Sequence, residues 1–367
     1  MPVSPVRVLH VNTEHGWRGG ERQTLWLSMC LARMGHVSII AARPGEPLAK
    51  RAVEKKLQVI HTSPVGELDL LAALRLRAYI RKANIQIVHA HTAHAVALAA
   101  FATMATNAAM VTTRRVDFRL RPNPASRWKY GRASAIIAIS KAVAVALIES
   151  GIAPDRIEII PSGVDLSRTF TPATAEDLAL LGVPAHAALV VQVAQLVPHK
   201  DPVTFVGAIA EARRHVPGLH ALLVGEGPLR PNVEAAILET GVGDVLHVTG
   251  YRRDADSLLM AADVVTLSSK EEGLGTVLLD AMSMGKPIAA PAAGGIPEIV
   301  EHEQSGLISP IGDAKRLGEN LASLFTNKAL ASRLAAGALE RVREFSVEHT
   351  AERTLGVYRR LIAREKR

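Results

Sequence analysis

The chain has 367 residues, long enough for two ordinary domains, and its 48% hydrophobic and 21% charged residues describe a globular protein and exclude a disordered one. The single cysteine, Cys30, excludes a disulfide framework or a cysteine-based zinc site, and its apolar helical surroundings read as a buried thiol in a reducing compartment. The net charge of +8 is uneven: residues 1–168 hold 23 Lys and Arg against 11 Asp and Glu, a net of +12, whereas residues 169–367 hold 20 against 24, a net of −4. A basic half can face anionic lipid or a phosphorylated substrate. Nucleic acid is disfavoured as a partner, because no zinc finger, recognition-helix pattern or aromatic-interleaved nucleic-acid motif appears.

In chain order, "MPVSPVRVLHVN" runs directly into a strand (6–12) without the progression of a secretory leader. Further strands are expected at 36–42, 85–91, 109–113 and 134–140, and another in "RIEIIPSGVD". Helices are expected from Leu25 to Met34, over 68–83, from about residue 93, and from a Ser140 cap to Gly151. The Pro- and Thr-rich stretch 167–187 reads as an interdomain connection. The alternation then restarts with strands at 188–194, 220–227, 245–251 and 263–269 and a helix from Pro202. Helices fill 313–345, and an amphipathic helix closes the chain from about 348 to 365. Aromatics are only 4% while Ala, Val, Leu and Ile abound, as in parallel sheets buried on both faces. Two such runs imply an α/β protein of two doubly wound, Rossmann-like domains facing a central cleft, with ligands beyond the carboxyl ends of the strands. No apolar stretch reaches the roughly 20 residues that span a bilayer, so the expected location is cytoplasmic, or peripheral on the inner face of a membrane.

Two glycine corners carry the chemistry. "NTEHGWRGGERQ" (12–23) follows the first strand and opens a helix. Gly16, Gly19 and Gly20 let the backbone approach a ligand closely, and a helix N-terminus favours an anion. A tight turn explains the segment equally well. It is not the G-x-G-x-x-G fingerprint, and the second strand ends "AARPG" with no acid for an adenosine ribose, which weighs against a nicotinamide-dependent dehydrogenase.

"EEGLGTVLLDAMSMGKP" (271–287) is more specific. Gly273 and Gly275 flank a turn, and Thr276 is expected to cap a helix that Gly285 and Pro287 end. Amides from Leu274 to Val277 would then face a phosphate. Glu272, beside the corner, and Asp280, eight positions on, can each take a pair of sugar hydroxyls. The bland alternative for Asp280 is a solvent-facing helix residue, which its apolar neighbours oppose. Glu271 is expected to face solvent.

With "ISKAVAVALIESGIAPDRIEIIPSGVD" (139–165), "VPHKDP" (197–202), "LLVGEGPLR" (222–230) and above all residues 271–313, the sequence resembles the retaining nucleotide-sugar glycosyltransferases of family 4 over nearly its whole length. The resemblance implies the GT-B fold, with an N-terminal acceptor-side domain (1–168), a C-terminal nucleotide-sugar domain (169–345) and a C-terminal helix (346–367) packing back on the first. It implies Glu272 for the donor sugar and Asp280 for the nucleotide ribose, where Asp replaces the family's Glu and shortens the arm by one methylene. Lys200 matches the family's diphosphate lysine, but Gln195 stands at the place of its arginine and brings no charge. His91, in "VHAHTAHA" (88–95), matches a histidine near the donor sugar, although a strand histidine is more often a satisfied core residue; His89 shares its face, and His94 falls at a helix start. Glu272, His91 and Lys200 are the catalytic candidates. Gly19, Gly20, Gln195, Gly273, Leu274, Gly275 and Thr276 complete the donor site with Asp280. Gly294 and Gly295 read as structural glycines.

On this resemblance no metal and no cofactor is expected, the donor being a nucleotide-diphosphate sugar. Uridine and guanosine donors both stay open, as do glucose, galactose, N-acetylglucosamine and mannose. The segment "TGYRRD" (249–254) would meet the base through backbone groups. The implied reaction moves a hexosyl group to a glycan, glycolipid or phosphorylated acceptor with retention, as in bacterial envelope or lipopolysaccharide assembly. A nucleotide-sugar epimerase of the same architecture, or a non-enzymatic carbohydrate-binding protein, are the competing readings. The segment 112–132, with seven Lys and Arg, one acid, and Phe118, Trp128 and Tyr130 interleaved, reads equally as an acceptor or anionic-membrane contact and as a solvated basic loop.

Overall fold

A computed structural model of the chain describes residues 4–66, 69–120 and 122–365. The chain divides into two compact units, one of residues Met1–Asp165 with Ser346–Arg367, the other of Leu166–Phe345. The first holds a parallel sheet of β1 (Arg7–Asn12), β2 (Val37–Ala42), β3 (Gln58–His61), β4 (Ile87–Ala90), β5 (Ala109–Arg114), β6 (Ala135–Ala138) and β7 (Ile157–Ile159), in the order β3-β2-β1-β4-β5-β6-β7. The second holds β8 (Ala188–Val193), β9 (Leu219–Val224), β10 (Leu246–Gly250), β11 (Val264–Thr266), β12 (Ile288–Pro291) and β13 (Leu307–Ser309), in the order β10-β9-β8-β11-β12-β13. Both orders are doubly wound: the direction of winding reverses between β1 and β4, and again between β8 and β11. Ligands in such sheets bind outside the carboxyl ends of the strands at that reversal.

The strands are apolar runs because helices cover both faces. Val8, Leu9, Ile40, Ile87, Val88 and Val111 are buried in the first sheet, and Val190, Val191, Leu222 and Val265 in the second. The helix Val347–Glu365 belongs to the first unit, where Val347, Ala351, Leu355, Tyr358 and Leu361 join a core with Trp26, Leu27 and Leu31 of the helix Gly19–Arg33.

Several elements depart from the sequence reading. The first helix begins at Gly19, not Leu25, so its glycines form its first turn. The short strand β3 and the helix Pro47–Glu54 escaped notice, since β3 is an edge strand with no buried residue and shows no apolar run. The basic segment is no simple loop: it closes β5 and contains the helix Pro124–Gly131, capped by Asn123, whose side chain accepts from the Ser126 amide at 2.7 Å. Arg121 of that segment and Leu68 of the expected helix 68–83 lie outside the described residues. The stretch 167–187 belongs to the second unit and contains the helix Ala175–Ala179, closed by a Thr174–Asp177 capping box. Arg168, counted by sequence with the N-terminal half, is part of that second unit, where it pairs with Asp256 and Asp280.

Candidate functional site

In the second unit, the reversal between β8 and β11 brings two loops together. The chain leaving β8 makes a single helical turn, Pro198–Lys200, then enters the helix Pro202–Ala212 through Asp201 at φ +44°. That turn is tied to the segment after β11. The Ser268 hydroxyl donates to the carbonyls of Asp201 (2.9 Å) and Lys200 (3.1 Å), and Gln192 Nε2 donates to Ser268 Oγ at 2.9 Å. The amides of Lys270 and Glu271 donate to the His199 carbonyl at 2.9 and 3.2 Å. Gly225, at φ +152°, presses against the chain just past β8, ahead of that turn: a Cβ there would stand 1.9 Å from the Ala194 carbonyl oxygen. The G-x-G of "VGEG" is therefore a packing device that lets this segment lie against residues 194–196, the approach to the Lys200 turn.

The consequence is a direct contact. Lys200 Nζ donates to Glu272 Oε2, and Ser269 Oγ donates to the same oxygen at 3.2 Å. The two side chains are 21% and 11% exposed, so the pair is sheltered but reachable. Gly295 fixes the Glu272 backbone, its amide donating to the Glu272 carbonyl at 2.8 Å. Glu271 is exposed, as expected, and Gln195 is exposed as well.

Past Glu272, Gly273 and Leu274 are buried, and Gly275 at φ +83° is itself the N-cap of the helix Thr276–Ser283. The expected Thr276 cap is thus corrected: Thr276 is the first helical residue, because the left-handed glycine already turns the chain into the helix. The first amides of any helix lack intrahelical acceptors and carry its positive dipole end. Asp280 is only 2% exposed, which removes the solvent-facing alternative. Its compensation is Arg168, missed by sequence: one guanidinium nitrogen lies 3.3 Å from Asp280 Oδ1, another donates to Asp256, and the plane lies 4.6 Å from the Phe170 ring centre. An arginine in a Pro/Thr-rich connection gave no signal of such a role.

The first unit has its own reversal, between β1 and β4. Gly19 and Gly20 form the first turn of the helix Gly19–Arg33, where the Arg18 amide donates to Glu21 Oε2 at 3.0 Å and Asn12 Nδ2 to Oε1 at 3.3 Å. His91 follows β4 and is buried with His89 and His10, the His89 and His91 ring centres 4.0 Å apart. His94 is exposed at the start of the helix Ala93–Ala102. His89 bonds the Tyr358 hydroxyl through Nδ1 (2.6 Å) and Thr113 Oγ1 through Nε2 (2.7 Å). His91 bonds His10 Nδ1 through Nε2 (3.0 Å) and an Arg115 guanidinium nitrogen through Nδ1 (3.3 Å). Burial drives His10 down to about 3 and holds His89 and His91 well below the usual histidine range, so all three are neutral at pH 7. Their ligand atoms lie within 4.8 Å of one another, yet only His10 Nε2 has no hydrogen-bond partner among the described residues. A zinc site needs three or four available ligand atoms, so the trio reads as a hydrogen-bonded polar core.

The basic segment is partly consumed by structure. Arg114 is buried and donates to the Phe118 carbonyl at 2.7 Å, Lys129 is buried, and Arg115 is committed to His91. Arg119, Arg127 and Arg132 remain exposed, with Phe118 and Trp128 50% and 39% exposed beside them.

Known proteins extend this picture. The profile of Glycosyltransferase Family 4 matches residues 17–168, and that of Glycosyl transferases group 1 matches residues 176–341. The lipopolysaccharide core biosynthesis glycosyltransferase LpsD of Rhizobium meliloti is 30% identical over 247 residues, 67% of this chain and 69% of that protein. A D-inositol 3-phosphate glycosyltransferase of Saccharomonospora viridis is 32% identical over 222 residues, 58% of this chain but only 52% of the relative, so the chain matches about half the length of that enzyme. Among solved structures, Anabaena HepE in complex with UDP-glucose superposes with a TM-score of 0.82 at 21% identity, covering 96% of this chain and 98% of that one, a likeness of fold. Two Rossmann-like units with a switch point in each, together with that likeness, give the GT-B fold. Within that class, the chain belongs to glycosyltransferase family 4.

Proposed function

We propose that the protein transfers a hexosyl group from a nucleotide-diphosphate sugar to a glycan or glycolipid acceptor. The observation that carries this is the meeting of Lys200 and Glu272 at the carboxyl ends of β8 and β11, one turn ahead of a glycine-capped helix that buries Asp280. Lys200 and the amides at Gly275 and Thr276 take the diphosphate, Glu272 orients the sugar, and Asp280 accepts from ribose hydroxyls. Gly273 and Leu274 shape the corner, and Gln195 adds a neutral donor. His91, Gly19 and Gly20 are assigned to donor sugar and diphosphate on the resemblance alone. The UDP-glucose complex of Anabaena HepE and the lipopolysaccharide core biosynthesis role of Rhizobium meliloti LpsD support a UDP-sugar donor and an envelope-glycan acceptor such as lipopolysaccharide core.

In the reaction, the bond from the anomeric carbon to the diphosphate oxygen breaks, and its electron pair leaves with the diphosphate. An acceptor oxygen bonds to the same carbon on the same face, and its proton passes to the departing phosphate oxygen. Configuration is retained, and the charge on the leaving group falls to Lys200 and backbone amides, without a metal ion. The exposed Phe118, Trp128, Arg119, Arg127 and Arg132 suit an anionic membrane surface holding a lipid-linked acceptor.

The test is incubation with UDP- and GDP-hexoses, with and without a core-oligosaccharide glycolipid on anionic vesicles, in EDTA. Expected are nucleoside diphosphate release that depends on acceptor, a product with the donor's anomeric configuration, and sedimentation with anionic but not neutral vesicles. Epimerised donor, or release independent of acceptor, defeats the transfer reading; equal sedimentation with both vesicles defeats the membrane contact.

A further inference from the structure

Arg115, immediately after β5, reaches His91 twice. One guanidinium nitrogen donates to the His91 carbonyl at 3.0 Å, and the other lies 3.3 Å from His91 Nδ1. A guanidinium offers only donors. His91 Nδ1 must therefore present its lone pair, and the proton of the neutral ring must sit on Nε2. That N–H is directed at His10 Nδ1, 3.0 Å away, which accepts and leaves the His10 proton on Nε2. The tautomers of both rings thus follow from one arginine. Burial of the three imidazoles keeps them neutral, and although burial also lowers Arg115 to about 10, with the Glu21 charge opposing that shift, the guanidinium stays charged at pH 7.

We propose that Arg115 is a positioning residue which locks His91 in the Nε2–H tautomer, making it a neutral hydrogen-bond donor and disqualifying it as a base. The proposal rests on the reading of His91 as a donor-sugar contact. A base must offer a lone pair to the acceptor's proton; the one lone pair on the His91 ring is covered by a cation. What the ring can present to a ligand is an N–H, whose complement is a hydroxyl or ring oxygen of a sugar, with His10 Nδ1 the acceptor it otherwise serves. The second bond, to the His91 carbonyl, fixes the backbone at the end of β4, so that ring and main chain are set together. Lysine has a single point of attachment and could reach only one of the two. In the sequence, Arg115 is one of seven basic residues in a run; nothing in that run marks it as the one that reaches His91.

The test uses long-range proton–nitrogen NMR of the histidine rings in the full-length protein labelled with ¹⁵N-histidine, with the His91 signals assigned by their loss in His91→Gln. Wild type should show Nε2 protonated and Nδ1 bare. Arg115→Met should move His91 toward the Nδ1–H form or an averaged pair and, through the weakened hydrogen bond to the sugar, lower kcat about tenfold with nucleotide affinity unchanged. Arg115→Lys should restore the Nε2–H pattern and part of the rate, and Arg115→Gln, whose amide oxygen can accept from an Nδ1–H, replaces Arg115→Met if that variant does not fold. An Nδ1–H ring in wild type, or an unaltered ring in the variant that lacks the cation, overturns the proposal. A shifted tautomer with undiminished kcat overturns the positioning role and removes His91 from the site. Absence of transfer by wild type with every donor defeats the functional reading instead, while the NMR still reports on the tautomer.

Discussion

Lys200 and Glu272 illustrate how two residues that sequence could only name separately answer each other in the fold. Each is the partner of the other, so neither charge is stranded. On the proposed reading, a donor diphosphate competes with Glu272 for the ammonium. An exposed ion pair contributes about 0.2–1 kcal/mol, and this pair is only partly sheltered. Glu272→Gln keeps the shape and removes the competing charge. It should leave affinity for nucleoside diphosphate unchanged or raise it up to about fivefold, while a misoriented sugar lowers transfer about 100-fold. Titration calorimetry beside steady-state kinetics decides; affinity falling in step with transfer would place Glu272 on the nucleotide. Asp280 was legible as a buried acid because apolar residues surround it in sequence, yet its partner Arg168 lies more than a hundred residues away, and no local pattern announces such a pairing.

At the scale of elements, the glycine corners were legible and their mechanics were not. "GLG" at 273–275 reads as a turn before a helix, but which residue caps the helix depends on φ at Gly275, a property of the folded backbone. The "GEG" of 225–227 is quoted easily as a family feature, whereas its work is to let the end of β9 lie against residues 194–196, which lead into the turn bearing Lys200. Gly225→Ala should destabilise the second unit by about 1–3 kcal/mol, since a methyl cannot occupy the space of the Ala194 carbonyl. Thermal unfolding measures this, and a midpoint equal to wild type would mean that the backbone there moves freely. Strands with apolar runs were found because burial on both faces writes itself into composition. The edge strand β3, half in solvent, wrote nothing, and the helix Pro124–Gly131 was masked by its charges because two of its inward residues are Ser126 and Lys129.

At the scale of the molecule, the two-fold alternation of strand and helix made the pair of doubly wound sheets readable, and with them the switch points where loops converge. The polar core of His10, His89, His91 and Tyr358 was only half readable. Two of its members sit in one strand motif, but the others arrive from β1 and from the last helix, brought there by topology alone. The central claim is that the carboxyl ends of β8 and β11 hold the donor. Hydrogen exchange of the whole protein with and without UDP tests it most directly. Expected is slowed exchange confined chiefly to residues 194–201 and 272–280, and lost in Lys200→Met; slowed exchange elsewhere with these two segments unchanged would contradict it.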